Sequence, residues 1–260
     1  MTIPAFAPSP LANLRDLGGI PVTDGAVRPG LVLRSDDVCT VDEASARALV
    51  DDGLRLIIDL RTPEELARTG RGPLAAHADV RHLHLPLMSE MTGGTADLMK
   101  SLATAADPVA EFGRWYAASV RGTGHLLAQG LSAIAEADGA ALFHCAAGKD
   151  RTGQFAAALL SVLGASDDAI VADYVRTEDV REALMARLAG IMQPFIGDLD
   201  RYRDRIPPAL NGAEAGTMRT MLADLGGTAG LAGLLRGAGL TPKTEARLHE
   251  RLVEPGGPAA

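Results

Sequence analysis

Residues 140–164 read AALFHCAAGKDRTGQFAAALLSVLG. The apolar stretch AALFHC has the length of a buried strand, and TGQFAAALLSVLG carries helical spacing up to Gly164. Only a short loop containing Gly148 separates them. Strand, glycine loop and helix in that order bring backbone N–H groups and the positive end of a helix to one point, which is what a phosphate-binding turn requires.

The rest of the chain extends this into an α/β pattern. Leu31 to Arg34 reads as a short strand, LRLIIDL as a buried strand ending at Asp59, and VRHLHLPL as another with His82 and His84. Helical segments intervene. One is opened by a Thr40–Glu43 capping box and closed by Gly53, one by Thr62 with Pro63 in its first turn, and a long one spans about 107–137 with Gly130 as a weak point. After residue 164 helices dominate. The expected fold is an α/β sandwich, with residues 1–12 loosely held and 13–260 forming a single domain.

Composition narrows the function. Hydrophobic residues make up 47% of the 260 but aromatics only 3%, so aliphatic side chains must build the core. A net charge of -8 argues against a general nucleic-acid partner, and any anion site must be local. Two cysteines, Cys39 and Cys145, cannot make a disulfide framework. His77, His82 and His84 lack a completing ligand at metal spacing, so no metal and no other cofactor is expected. The N-terminus has no basic region before an apolar one, and no apolar run reaches about 18 residues. A cytoplasmic location is the default expectation, and export without a signal is invisible to such a reading.

Cys145, five intervening residues and Arg151, then Thr152, form the chemical core of the loop. The spacing alone is weak, but His144 before it, Gly148 within it and the strand-to-helix setting are independent requirements met together. Backbone N–H groups of Ala146, Ala147, Gly148, Lys149, Asp150, Arg151 and Thr152 can wrap a tetrahedral anion, and the field that holds the anion favours a thiolate at Cys145. Arg151 can grip two phosphoryl oxygens at once.

This stretch resembles the signature loop of cysteine-dependent protein tyrosine phosphatases. With NLRDLGG, RPGLVLRSD, IIDLRTPEE, ADYVRTE and the tail LTPKTEARLHERLVE, the chain is similar to the bacterial tyrosine phosphatase family of the PtpB and LipA type, over nearly its whole length. The resemblance implies a protein tyrosine phosphatase-like sandwich, a central and mainly parallel sheet flanked by helices with a helical C-terminal extension. It implies hydrolysis of phosphotyrosine, often of phosphoserine or phosphothreonine, and in some members of phosphoinositides. Cys145 would be the nucleophile and Arg151 the phosphate clamp, with Lys149 and Asp150 the family's additions to the loop.

Other roles stay open. His144 is expected to orient the loop and tune the thiolate, and Thr152 to donate to the Cys145 sulfur. For the general acid, Asp150 competes with Asp59 at the end of its strand, and with Asp97 or Asp107. Lys149 is a second cation for a more highly phosphorylated substrate, or a solvated lysine. Arg34, Arg15 and Asp16 are supporting residues without a deducible step. Residues 178–206, with Leu184, Leu188, Ile191, Met192, Phe195 and Leu199 on an apolar face broken at Pro194, are a candidate lid, and 207–254 C-terminal helices that many glycines could loosen. Trp115, Tyr116, Phe143 and Tyr174 are the stacking surfaces available to a phenyl ring. The expected partner is a phosphorylated protein or a phosphoinositide, and a phosphate-binding module without turnover is the alternative.

Overall fold

The structure, a computed structural model, describes residues 10–87, 94–196 and 208–256. Residues 1–9 of the N-terminal segment and 197–206 of the candidate lid, with Leu199, lie outside the described residues, as do the side chains of Met192, Pro194 and Phe195.

The main sheet runs in the order β1 (Arg15–Asp16), β4 (Val32–Ser35), β7 (Ala140–His144), β5 (Leu54–Asp59) and β6 (Arg81–His84). The last four are mutually parallel, and β1 adds an antiparallel edge. A small antiparallel sheet of β2 (Pro21–Val22), β3 (Gly25–Val27) and β8 (Val253–Pro255) ties the chain's end to its beginning. Strand pleating divides the apolar residues between two faces. Val32, Leu56, Ile58, Ala141 and Phe143 join the larger core, while Leu33, Ile57 and Leu142 face a smaller one with Val38, Val41, Ala46, Leu74 and Val80.

Helix α1 (Glu43–Asp51) covers the smaller core. Its cap is Asp42, whose carboxylate accepts from Ser45 N at 2.7 Å. Thr40 is instead buried in the short 3-10 turn Val38–Thr40, so the Thr40–Glu43 capping box is not formed. The box appears one helix later, at the start of α2 (Pro63–Thr69), between Thr62 and Glu65.

On the other face α4 (Pro108–Ala135) is the hub. It packs against α3 (Gly94–Thr104), α5 (Asp150–Val162), the short α8 (Pro208–Asn211), α9 (Ala215–Leu225), α10 (Gly227–Gly237) and α11 (Pro242–Leu252). It is continuous through Gly130, because the missing side chain makes room for the Phe155 ring: a Cβ there would lie 2.5 Å from it. The glycine-rich C-terminal stretch forms a corner. Gly226 and Gly227 take left-handed φ values of 85° and 71°, which split α9 from α10, and both helices keep buried leucines in the larger core. Helix α6 (Asp167–Val175) and a 3-10 turn (Arg176–Val180) lead into α7 (Arg181–Ile196), which runs through Pro194 without a break. Among the described residues no helix is long and apolar enough to cross a membrane.

Candidate active site

The parallel strands place Ser35, Asp59, His84 and His144 at one edge, the carboxyl end where α/β sheets open. Residues 145–149 leave β7 there and enter α5 directly. The loop is held from outside by its carbonyls. Ala146 O accepts from Asp37 N at 3.0 Å, Ala147 O and Gly148 O from Asn13 Nδ2 at 3.0 and 3.1 Å, and Gly148 O also from Arg34 Nη2 at 2.8 Å. In a trans peptide the N–H opposes the C=O of the preceding residue. Carbonyls turned outward therefore aim the N–H groups of Ala147, Gly148 and Lys149 inward, and the loop becomes a concave set of donors. Gly148 has a φ of +65°, and a Cβ there would lie 2.6 Å from Asp36 N and Ser35 O, so no other residue fits.

Four outer residues, Arg34, Arg15, Asn13 and Arg187, depend on Asp173 and Asp36. The Asp173 carboxylate pairs with Arg34 Nη1 and, at 3.0 Å, with Arg15 Nε. Burial opposes its charge, but the two guanidiniums prevail and hold its carboxyl below the ordinary range. Arg15 also donates to Asn13 Oδ1, which orients the Asn13 amide toward the loop. Asp36, fully buried, accepts from Ala12 N at 3.2 Å, Asn13 N at 2.9 Å and Arg187 Nη1 at 2.8 Å. Arg187 comes from α7 and donates further to Asp37 O at 2.6 Å and Thr40 Oγ1 at 2.5 Å. The start of the candidate lid is thus bolted to the wall of the loop. Asp16, by contrast, accepts from Gly18 N and Gly30 N and serves its own turn.

Arg151 is 8% exposed and held in a fork by Glu65, with Nη1 to Oε2 at 2.5 Å and Nη2 to Oε1 at 2.9 Å. Burial alone would weaken its charge, but Glu65 outweighs that and raises its pKa. Glu65 Oε2 also accepts from Thr62 N at 2.7 Å, so one capping box both starts α2 and fixes the guanidinium.

Cys145 is 1% exposed in the loop's floor. His144 Nδ1 lies 3.3 Å from Cys145 O, and its Nε2 is 3.8 Å from Asp59 Oδ1. Burial lowers the imidazole's pKa despite that carboxylate. Among the described residues the fully buried Thr152 hydroxyl has no hydrogen-bond partner, so the bond to the sulfur expected from the sequence is not made here.

The two leading carboxylates differ sharply. Asp59 is 5% exposed and grips Arg61, with Oδ1 to Nε at 2.9 Å and Oδ2 to Nη2 at 2.6 Å, and Oδ1 also accepts from Arg61 N. Burial pushes its carboxyl up, but His144 and Arg61 more than reverse this and hold it well below the usual range. Asp150 opens α5 with its side chain 28% exposed, accepts from the Tyr116 hydroxyl and lies 3.5 Å from Lys149 Nζ. Lys149 Nζ donates to Leu210 O at 2.6 Å and Gly212 O at 3.2 Å, just beyond the undescribed stretch.

The remaining candidates sit elsewhere. Asp107 caps α4, and Asp97 lines a cleft of about 310 Å³ with Trp115 and Glu111 between α3 and α4. Phe143 is no stacking surface, since it packs on Phe155 at 4.7 Å inside the core. His82 Nε2 meets Leu74 O at 3.3 Å and His84 Nε2 meets Arg61 O at 2.8 Å. Among the described residues no three His, Cys, Asp or Glu side chains converge on a metal-sized point.

Sequence reasoning assigned no role to Glu65, Asp36, Asp173, Asn13 or Arg187. Four of these stand in the quoted motifs, which was the available signal. Arg187 had none.

The model of the tyrosine phosphatase family matches residues 8–254. The chain is 28% identical over 274 residues to the triple specificity protein phosphatase PtpB of Mycobacterium tuberculosis, covering 93% of this chain and 96% of that one. It is 34% identical over 153 residues to a tyrosine-protein phosphatase of Nostoc commune, covering 57% of this chain and 49% of that one. Among solved structures, TpbA of P. aeruginosa is 19% identical over 84% of this chain and 97% of that one, with a TM-score of 0.28, a value too low to weigh on the fold. A family match over nearly the whole length, on a chain whose Cys-x5-Arg loop is built as a cradle of inward donors, means that this protein belongs to the tyrosine phosphatase family.

Proposed function

We propose that the protein hydrolyses phosphotyrosine through a phosphocysteine intermediate, with Cys145 as nucleophile, Arg151 as clamp and Asp150 as general acid. The observation that carries this is the outward tethering of the Ala146, Ala147 and Gly148 carbonyls together with the fork between Arg151 and Glu65. Donors preset in this way stabilise charge on the equatorial oxygens of a loose phosphoryl transition state without reorganising. The Cys145 thiolate attacks phosphorus as the bond to the leaving oxygen breaks, and Asp150 gives that oxygen its proton. A water then loses a proton to the Asp150 carboxylate and attacks phosphorus, which frees the thiolate and phosphate.

Asp150 suits the acid role better than Asp59. A carboxyl held ionised by a buried bidentate arginine is a poor proton donor, and Asp59 is fully engaged in holding Arg61. Asp150→Asn is expected to lower kcat roughly 10²- to 10³-fold with little loss of stability. Asp59→Asn should instead destabilise the fold by leaving Arg61 short of a partner. Kinetics and urea unfolding of both variants test this, and the reverse pattern would overturn it.

Residues 13–260 are read as one phosphatase domain in which 178–206 cover the site. The 1% exposure of Cys145 and the anchoring of Arg187 support that reading. A second reading, phosphoinositide hydrolysis, depends on Lys149 leaving the carbonyls of Leu210 and Gly212 to meet a second phosphate. Assays on phosphotyrosine, phosphoserine and phosphothreonine peptides beside phosphoinositides separate the two. Higher kcat/KM on the peptides, unaffected by Lys149→Met, supports the first.

A further inference from the structure

Two tyrosines counted from the sequence only as stacking surfaces are not available to a substrate. Tyr116 and Tyr174 are 0% and 1% exposed, with ring centroids 6.2 Å apart and planes at 90°. Tyr116 packs edge-on against Phe112 at 4.7 Å, and Tyr174 lies against α5 where a Cβ on Gly153 would come within 3.0 Å of its ring. Three helices therefore fix the pair: α4 supplies Tyr116, α6 supplies Tyr174, and α5 carries both Gly153 and Asp150.

Their hydroxyls form a chain that ends on the acid. Tyr116 donates to Asp150 Oδ1, and the two hydroxyl oxygens are 3.1 Å apart. Since the single Tyr116 proton is committed to the carboxylate, its oxygen must accept from Tyr174. The order is Tyr174 to Tyr116 to Asp150, with each bond polarising the next. Burial, followed by the Asp150 charge, pushes the Tyr116 phenol far up, so it remains a donor at any working pH.

We infer that Tyr116, backed by Tyr174, is the positioning residue for the general acid, pinning Asp150 Oδ1 so that the other carboxyl oxygen, Oδ2, is the one that protonates the leaving group. This rests on the assignment of Asp150 as the acid. A carboxyl group at a helix start can rotate, and only one of its oxygens can reach the leaving atom at a time. A fixed donor on Oδ1 leaves Oδ2 to carry the proton.

Leaving-group dependence tests this, because protonation matters more for phenol than for p-nitrophenol. Tyr116→Phe keeps the ring and removes the donor. Its kcat on phenyl phosphate is expected to fall about tenfold further than on p-nitrophenyl phosphate, the loss from one misplaced hydrogen bond. Tyr174→Phe, which leaves the contact with Asp150 intact, should show a smaller change in the same direction. Adding Tyr116→Phe to Asp150→Asn should change the ratio no further, because the acid is already gone.

The single Asp150→Asn variant separates the two levels. If its ratio between the substrates matches wild type, the acid assignment itself is wrong. If its ratio changes while Tyr116→Phe and Tyr174→Phe both keep the wild-type ratio, the acid stands and the positioning role is overturned. An equal loss on both substrates in the tyrosine variants also counts against the inference, since a merely structural defect acts that way.

Discussion

Cys145→Ser is expected to lose p-nitrophenyl phosphate turnover by roughly 10⁴-fold or more while keeping the fold and the ability to bind inorganic phosphate. In the proposed mechanism the cradle and the nucleophile are separate devices. The cradle is built from backbone N–H groups, tethered through Asn13, Arg34 and Asp37, and from the Arg151 fork with Glu65. None of these contacts uses the sulfur. A serine hydroxyl in the same buried floor ionises far less readily than a thiol, so attack on phosphorus fails although the phosphate is still held. Equilibrium titration with phosphate and steady-state kinetics on the same preparation check both halves. Retained turnover would mean that the nucleophile lies elsewhere, and lost phosphate binding would mean that the thiolate is itself part of the cradle.

Asp36→Asn should be the most damaging change outside the chemistry. Asp36 is completely buried and balances Arg187, whose side chain is 4% exposed. Removing its charge leaves a guanidinium uncompensated in the interior, which costs about 3–5 kcal/mol. For a chain of this size that corresponds to a drop in Tm on the order of 10 °C. Activity should fall as well, because Asp36 accepts from Asn13 N and Asn13 holds two loop carbonyls. The double variant Asp36→Asn with Arg187→Met should recover much of the stability, since neither partner is then an unpaired charge. Urea unfolding of the singles and the double measures this. A single variant within about 1 kcal/mol of wild type would remove Arg187 as the bolt between α7 and the loop.

How legible the molecule was in its sequence varies with the range of the interactions. The strands at 54–59, 81–84 and 140–144 and the long helix at 108–135 follow from periodicity and turn residues within a dozen positions. Where the reading failed locally, a nearby competitor won: Asp42 stands between Thr40 and Glu43 and caps α1 itself. Gly130 read as a weak point because the sequence does not reveal that the Phe155 ring fills its place. The glycines near 226 read as looseness because a left-handed corner between two well-packed helices has the same composition as a flexible stretch.

The sequence by itself determined the loop. Cys145, Gly148, Arg151 and the helix behind them are contiguous, and strand, turn and helix propensities act over that same short span. The tertiary structure decided who holds the loop and which carboxylates are tied into buried ion pairs. Arg151 meets Glu65 across 86 positions and Arg187 meets Asp36 across 151. With 33 acidic and 25 basic residues in the chain, charge alone does not select such pairs. Burial does, because an ion taken from water must find its partner at hydrogen-bond distance or the fold does not form. The same requirement locks Asp59 onto Arg61 and leaves Asp150, at the open end of α5, beside the tyrosines.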